Sequence, residues 1–246
     1  MQKQYRLAHD PIFYIMLAFF ALLTTALPAS LGQPRFMPVV QTLALFVFLL
    51  VPLRQGLIRQ AVNVMLVWLL IQLFVILFLT WLVPLPLEKA IGDGFLYRSA
   101  YLQWFFGQGV EPDSLWAQPG NRLLELAGVI LGSLATGGLL GVWFLVRAVN
   151  LTGFSMGALI APLGGFSHLL GALPLWTLVR LAGYAGAVIC LGEPLLTGNW
   201  SLRYYGNQRR QLLLVVIGLL GLGFLLEFLL PGVWRTLFAP QMPRKL

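Results

Sequence analysis

Arg180, Glu193 and Glu227 are the charges that fall deepest inside apolar stretches of this chain, and His168 stands in the stretch just before them. A charge centred in hydrocarbon costs about 2.5–3.5 kcal/mol on insertion scales, so each needs a partner or a task. Arg180 and Glu193 are 13 residues apart, and about 20 Å of helical rise keeps them from pairing within one straight helix. Glu227, on the next apolar stretch, is placed to meet Arg180. Three roles stay open for this polar core of His168, Arg180, Glu193 and Glu227: an interhelical ion pair, contact with an ion or substrate, and snorkelling to the membrane surface. His168 titrates near neutral pH when unperturbed and serves either as a hydrogen-bonding residue or as a proton carrier. No second His, Cys or carboxylate stands at ligand spacing from it, so no metal site is expected.

Other chemistry-bearing patterns are sparse. Gly153-Phe-Ser155-Met-Gly157 has the G-x-S-x-G spacing of a nucleophile elbow, but that motif needs a preceding strand, and its surroundings here read as apolar helix. There is no P-loop, dinucleotide fingerprint or H-E-x-x-H. The expectation is a non-enzymatic protein with no catalytic residues and no cofactor. Cys190 is the single cysteine, which excludes an intramolecular disulfide and suits a small buried hydrophobe. Asp10, Glu125 and Arg147 read as lying near the ends of apolar stretches, where snorkelling or a helix terminus accommodates a charge.

The elements that must position these residues are membrane spans. The chain has 246 residues, 59% hydrophobic and 10% charged, where a soluble domain carries about 25% charged. That excludes a soluble enzyme and a disordered chain. Apolar segments fall at 12–31, 36–53, 61–83, 123–149, 153–171, 172–197 and 211–230. In lipid each must close its backbone hydrogen bonds internally, which predicts an all-α, polytopic transmembrane bundle of six or seven spans. Segment 153–171, rich in Gly and Pro, reads as a full helix, a broken helix or a re-entrant hairpin. The first stretch reads as an uncleaved span rather than a signal peptide.

Three regions differ in texture: three N-terminal spans in 1–83, a connection in 84–122, and a glycine-rich bundle in 123–246. Of 26 glycines, nineteen follow residue 121. Many recur at four-residue spacing, as in Gly128, Gly132 and Thr136, which lets helix backbones approach closely. In the connection, Tyr97, Tyr101 and Trp104 share one helical face, an aromatic stripe expected to lie at headgroup depth as an interfacial amphipathic helix. Trp200, Arg203, Tyr204, Arg209 and Arg210 form a second expected interfacial anchor, with aromatics at headgroup level and arginines on phosphates. The net charge of +8 then marks a lipid-facing rim and no nucleic-acid partner.

Basic residues favour a cytoplasmic N-terminus in a bacterial inner membrane, with Lys3, Arg6, Arg54, Arg59 and Arg147 inside. Seven spans would also place Arg203, Arg209 and Arg210 inside. Six would instead place Arg235, Arg244 and Lys245 there.

From about residue 122 onward, a glycine-rich span (Gly128–Gly141) is followed by Asn150, Gly153 and Gly157. Then come the run Ala182-Gly183-Tyr184-Ala185-Gly186, the pair Arg209-Arg210, and Glu227 four residues before Pro231. In this order of features the chain resembles the stage II sporulation protein M family of membrane proteins. The resemblance covers residues ~122–235, under half of the chain. The family's His-Gly-x-x-Glu signature is here Ala172-Leu-Pro-Leu-Trp176, and three spans replace its simpler N-terminal region. The resemblance implies a non-enzymatic membrane scaffold. Two functions are therefore carried forward. One is a structural or assembly subunit that presents a helical surface and the 95–106 aromatic helix to partner membrane proteins or to further copies of itself. The other is a permease or its membrane subunit, with a midplane site around 153–171. A polar cavity reached by Arg180 and Glu227 favours transport; dry packing favours the scaffold.

Overall fold

The computed structural model describes residues 10–112, 114–160, 172–199, 205 and 208–238. His168, Trp200, Arg203 and Tyr204 lie outside the described residues, as does most of segment 153–171. The described residues contain nine helices and no strand: α1 (Pro11–Leu31), α2 (Phe36–Arg54), α3 (Ile58–Leu82), α4 (Pro84–Ala90), α5 (Gly94–Phe105), α6 (Pro119–Thr136), α7 (Leu139–Ile160), α8 (Leu175–Thr197) and α9 (Arg210–Phe238). Six of them, α1, α2, α3, α7, α8 and α9, are long and apolar enough to cross a membrane. The chain is an all-α, multi-pass membrane bundle. Asp10 opens it as an N-cap, its carboxylate accepting the Ile12 backbone N–H at 2.9 Å.

The break between α6 and α7 corrects the single span expected over 123–149. Gly137 and Gly138 take φ values of +64° and +101°, a left-handed pair that ends α6 and reverses the chain. A glycine-rich helix and a glycine turn have the same composition, so residue types alone did not mark the turn. As a result Arg147 is the ninth residue of α7 and not the end of a span.

The bundle has two chemically distinct ends. One gathers the α2–α3 turn, the α6–α7 turn, the end of α8 and the start of α9. There Gly192 lies so close to α6 that an added Cβ would stand 2.8 Å from the Gly137 carbonyl oxygen, and Glu193 lies beside Gly56. Arg54, Arg59, Arg209 and Arg210 belong to this arginine end. The opposite end gathers Tyr101, Trp104, Phe105, Ile160, Trp176 and Trp234 into one aromatic-rich cluster. α3 and α7 run parallel, Gly153 against Ile76 and Gly157 against Thr80, so both point from the arginine end to the aromatic end. The chain returns to the arginine end through α6, which rises about 27 Å, close to the ~30 Å hydrocarbon thickness. α6 thus runs between the two ends of the bundle, but it is less apolar than the six membrane-length helices, with Asn121, Arg122 and Glu125 in its first turns.

A buried amide chain ties the first three spans to α7. Gln41 on α2 donates to Thr25 Oγ1 on α1 at 2.9 Å, and Asn150 on α7 donates to Gln41 Oε1 at 2.8 Å. Gln72 on α3 donates to Asn150 Oδ1 at 2.6 Å and accepts from Trp68 Nε1 at 2.9 Å. Each amide both gives and receives, which makes polar groups acceptable in a dry interior. Replacing Asn150→Leu strips a partner from both Gln41 and Gln72, at about 1–3 kcal/mol per orphaned group. The expected result is a clear fall in the temperature at which buried Cys190 becomes reactive to a thiol dye. Leu70→Ala, on the lipid-facing side of α3, should leave that temperature nearly unchanged.

Candidate functional site

The deep charges assemble into closed pairs. Arg180, 1% exposed on α8, donates through Nη1 to Glu227 Oε2 on α9. α9 can come this close because Gly223, one turn before Glu227, faces the Arg180 backbone, where a Cβ would meet the Arg180 Cα at 3.0 Å. The second oxygen of Glu227 accepts the Leu115 backbone N–H at 2.7 Å. The ion pair therefore also anchors the 106–118 connection. Glu111 in the same connection, itself buried, accepts from Trp176 Nε1 at 3.2 Å. Glu193, buried near the end of α8, is held by Arg209 through two bonds of 2.8 and 2.6 Å. Arg122 and Glu125 pair along α6 at 3.0 Å. Tyr184 on α8 lies within electrostatic reach of Glu125, Arg122 and Arg180, which links the α6 pair to the α8–α9 pair.

The aromatic stripe takes a different role from the one read in the sequence. Tyr97, Tyr101 and Trp104 do share a face of α5, but Tyr101 is 2% and Trp104 5% exposed. Trp104 stacks on Trp234 of α9 with ring centroids 6.1 Å apart, and Tyr101 lies 5.3 Å from Trp104. Arg235 donates to the Trp104 carbonyl at 3.4 Å. The stripe faces protein because α9 supplies aromatic partners 130 residues further along the chain (104 to 234). Phe95, Leu96 and Gln103 are the exposed residues of α5. Arg209 likewise serves Glu193, while Arg210 stays exposed at the start of α9.

Residues that sequence reading set aside as terminal charges line two open clefts. The first, about 530 Å³, lies between the α4–α5 turn, α6 and α7, and its polar wall includes Asp93, Asn121, Arg122, Glu125 and Arg147. The second, about 600 Å³, lies between the start of α2, the α4–α5 turn and α7, with Arg35, Asp93 and Arg147 as its charges. Neither is lined by Arg180 or Glu227. Among the described residues no group of His, Cys, Asp and Glu could hold a metal ion.

A multi-pass helical membrane protein with paired interior charges is the class this arrangement defines. No protein family, curated protein or solved structure matches the chain, so the resemblance to the stage II sporulation protein M family rests on its motifs alone.

Removing one partner of a buried pair leaves a charge stranded. Glu227→Ala should destabilise the bundle by about 3–5 kcal/mol, and the double replacement Arg180→Met with Glu227→Leu should recover most of that. Thermal unfolding of the three variants, followed through Cys190 reactivity, checks the order.

Proposed function

We propose that the protein is a non-enzymatic assembly subunit of a bacterial inner membrane, docking a helix of a partner membrane protein along the outer face of α9. The observation that carries this reading is the use of glycine on both sides of that helix. On the inner side, Gly223 admits α8, while Gly183 and Gly186 of α8 receive Leu220 and Val216. On the outer side, Gly218, Gly221 and Gly232 share an exposed face with Leu214, Leu225 and Leu229, and a Cβ at any of the three would meet nothing within 4 Å. Glycine inside a helix costs about 1 kcal/mol relative to alanine. In lipid the compensating gain is close approach of another backbone. The aromatic face of α5, first assigned to partners, is filled by α9 and is not available for docking.

The closed Arg180–Glu227 pair supports the scaffold over transport through a midplane site, since neither residue lines either of the two clefts among the described residues. The family resemblance points the same way. Affinity capture of the full chain from its own membranes in mild detergent should retain a membrane protein, or a second copy, that Gly218→Leu with Gly221→Leu releases. The monomer should still unfold at the wild-type temperature. Retention of the same partner by the double variant, or a monodisperse monomer with nothing bound, counts against the reading.

Orientation belongs to the same proposal. With Arg54, Arg59, Arg209 and Arg210 at one end, the bias of basic residues toward the cytoplasm places that end, and the start of α1, inside. In a Cys190→Ala background, cysteines at Gln55 and Gln208 should be labelled only from the cytoplasmic side, and one at Trp116 only from the other.

A further inference from the structure

Arg147 breaks the pairing rule that the other membrane-depth arginines obey. It is the ninth residue of α7, about 12 Å of helical rise from the helix start. Arg180 and Arg122 each have a carboxylate, whereas Arg147 is exposed and makes no ion pair among the described residues. Its guanidinium stacks on Trp143, 4.9 Å from the ring centroid, which fixes its direction without neutralising it. An unneutralised guanidinium inside a span calls for an anion from outside the chain.

The 600 Å³ cleft around it has the features of an anion site. Its size falls in the ~300–1,000 Å³ range of small-molecule pockets. Arg35, at the start of α2, lines the same cleft, is exposed, and makes no side-chain cap to its own helix. Asp93 is the one carboxylate on its wall and makes no ion pair. Two arginines against one aspartate leave a net charge of +1, matching a single phosphodiester. Beside the charges lie Pro38 and Val39 of α2, an apolar edge suited to acyl chains. Guanidinium is the side chain best matched to phosphate oxygens, through paired N–H donors.

We infer that this cleft holds the phosphodiester headgroup of a membrane phospholipid on Arg147 and Arg35, with the acyl chains running along α2. The inference is independent of any partner on α9. The shared chemistry is phosphate, and the probes separate its sources: dioctanoyl phosphatidylglycerol, dioctanoylglycerol, which lacks phosphate, and inorganic phosphate.

Native mass spectrometry of the full chain in detergent should show one phosphatidylglycerol retained per chain and no retention of dioctanoylglycerol. Arg147→Gln and Arg35→Gln should each weaken retention about ten-fold, the loss of one charge-assisted contact. Arg54→Gln, at the other end of the bundle, should change nothing. Arg35 sits on an exposed turn, so its variant keeps the test decisive even if Arg147→Gln folds poorly. Wild-type retention by Arg35→Gln and by folded Arg147→Gln would overturn the assignment. So would equal binding of dioctanoylglycerol, and inorganic phosphate binding as tightly as the lipid would reassign the cleft to the free ion.

Discussion

Arg180 is the most demanding group in the bundle: a permanent positive charge taken out of solvent on the inner face of a span. In low dielectric it is tolerated only with a carboxylate at hydrogen-bonding distance, and that requirement propagates outward. Glu227 must lie opposite, so α9 must approach α8 closely, and Gly223 provides the room. The remaining oxygen of Glu227 then needs a donor, which the Leu115 backbone N–H supplies. The connection carrying Leu115 is thereby folded against the aromatic end, where Trp176 meets Glu111 and where α6 begins. One ion pair thus sets the α8–α9 spacing and the entry of the chain into α6.

The N-terminal half solves the same problem with neutral groups. Amides desolvate at far lower cost than ions, and each offers both a donor and an acceptor, so a chain of them can satisfy itself. Thr25, Gln41, Asn150, Gln72 and Trp68 do this across four helices. Between polar ties of these two kinds, small residues carry the contact, because lipid tails leave no hydrophobic drive between helices. Gly153 and Gly157 lay α7 on α3, joining the glycine-rich half to the three leading spans in a single interior.

What was legible in the sequence follows from which physical signals are local. Five long apolar runs (12–31, 36–53, 61–83, 172–197 and 211–230) and the depth of Arg180 and Glu227 need no partner to be recognised, and the bundle contains both features. The Gly137–Gly138 turn was not legible. Two adjacent glycines read the same inside a small-residue helix as at its reversal, and only backbone dihedral angles tell them apart. That one ambiguity misplaced Arg147 as a terminal charge, and Arg147 lines both clefts. The aromatic stripe of α5 was visible as a face, but its direction depended on Trp234, a long-range contact with no local trace. The amide chain was equally silent, since Gln41, Gln72 and Asn150 are isolated polar residues in otherwise apolar runs.

The placement of Arg147 follows from the hairpin that hid it. Once Gly137 and Gly138 reverse the chain, α6 and α7 are antiparallel neighbours, Gly128 meeting Phe144 and Gly132 meeting Leu140. Phe144 and Gly141 face α6, and Asn150 is drawn into the amide chain. In a 3.6-residue period, Trp143 and Arg147 then fall together on the side that neither α6 nor α3 covers. A carboxylate on α6 could have been aimed at this side, but Glu125 is turned to Arg122. The fold therefore leaves one guanidinium at membrane depth with an aromatic ring beneath it, an open cleft beside it, and its charge unanswered by the described chain.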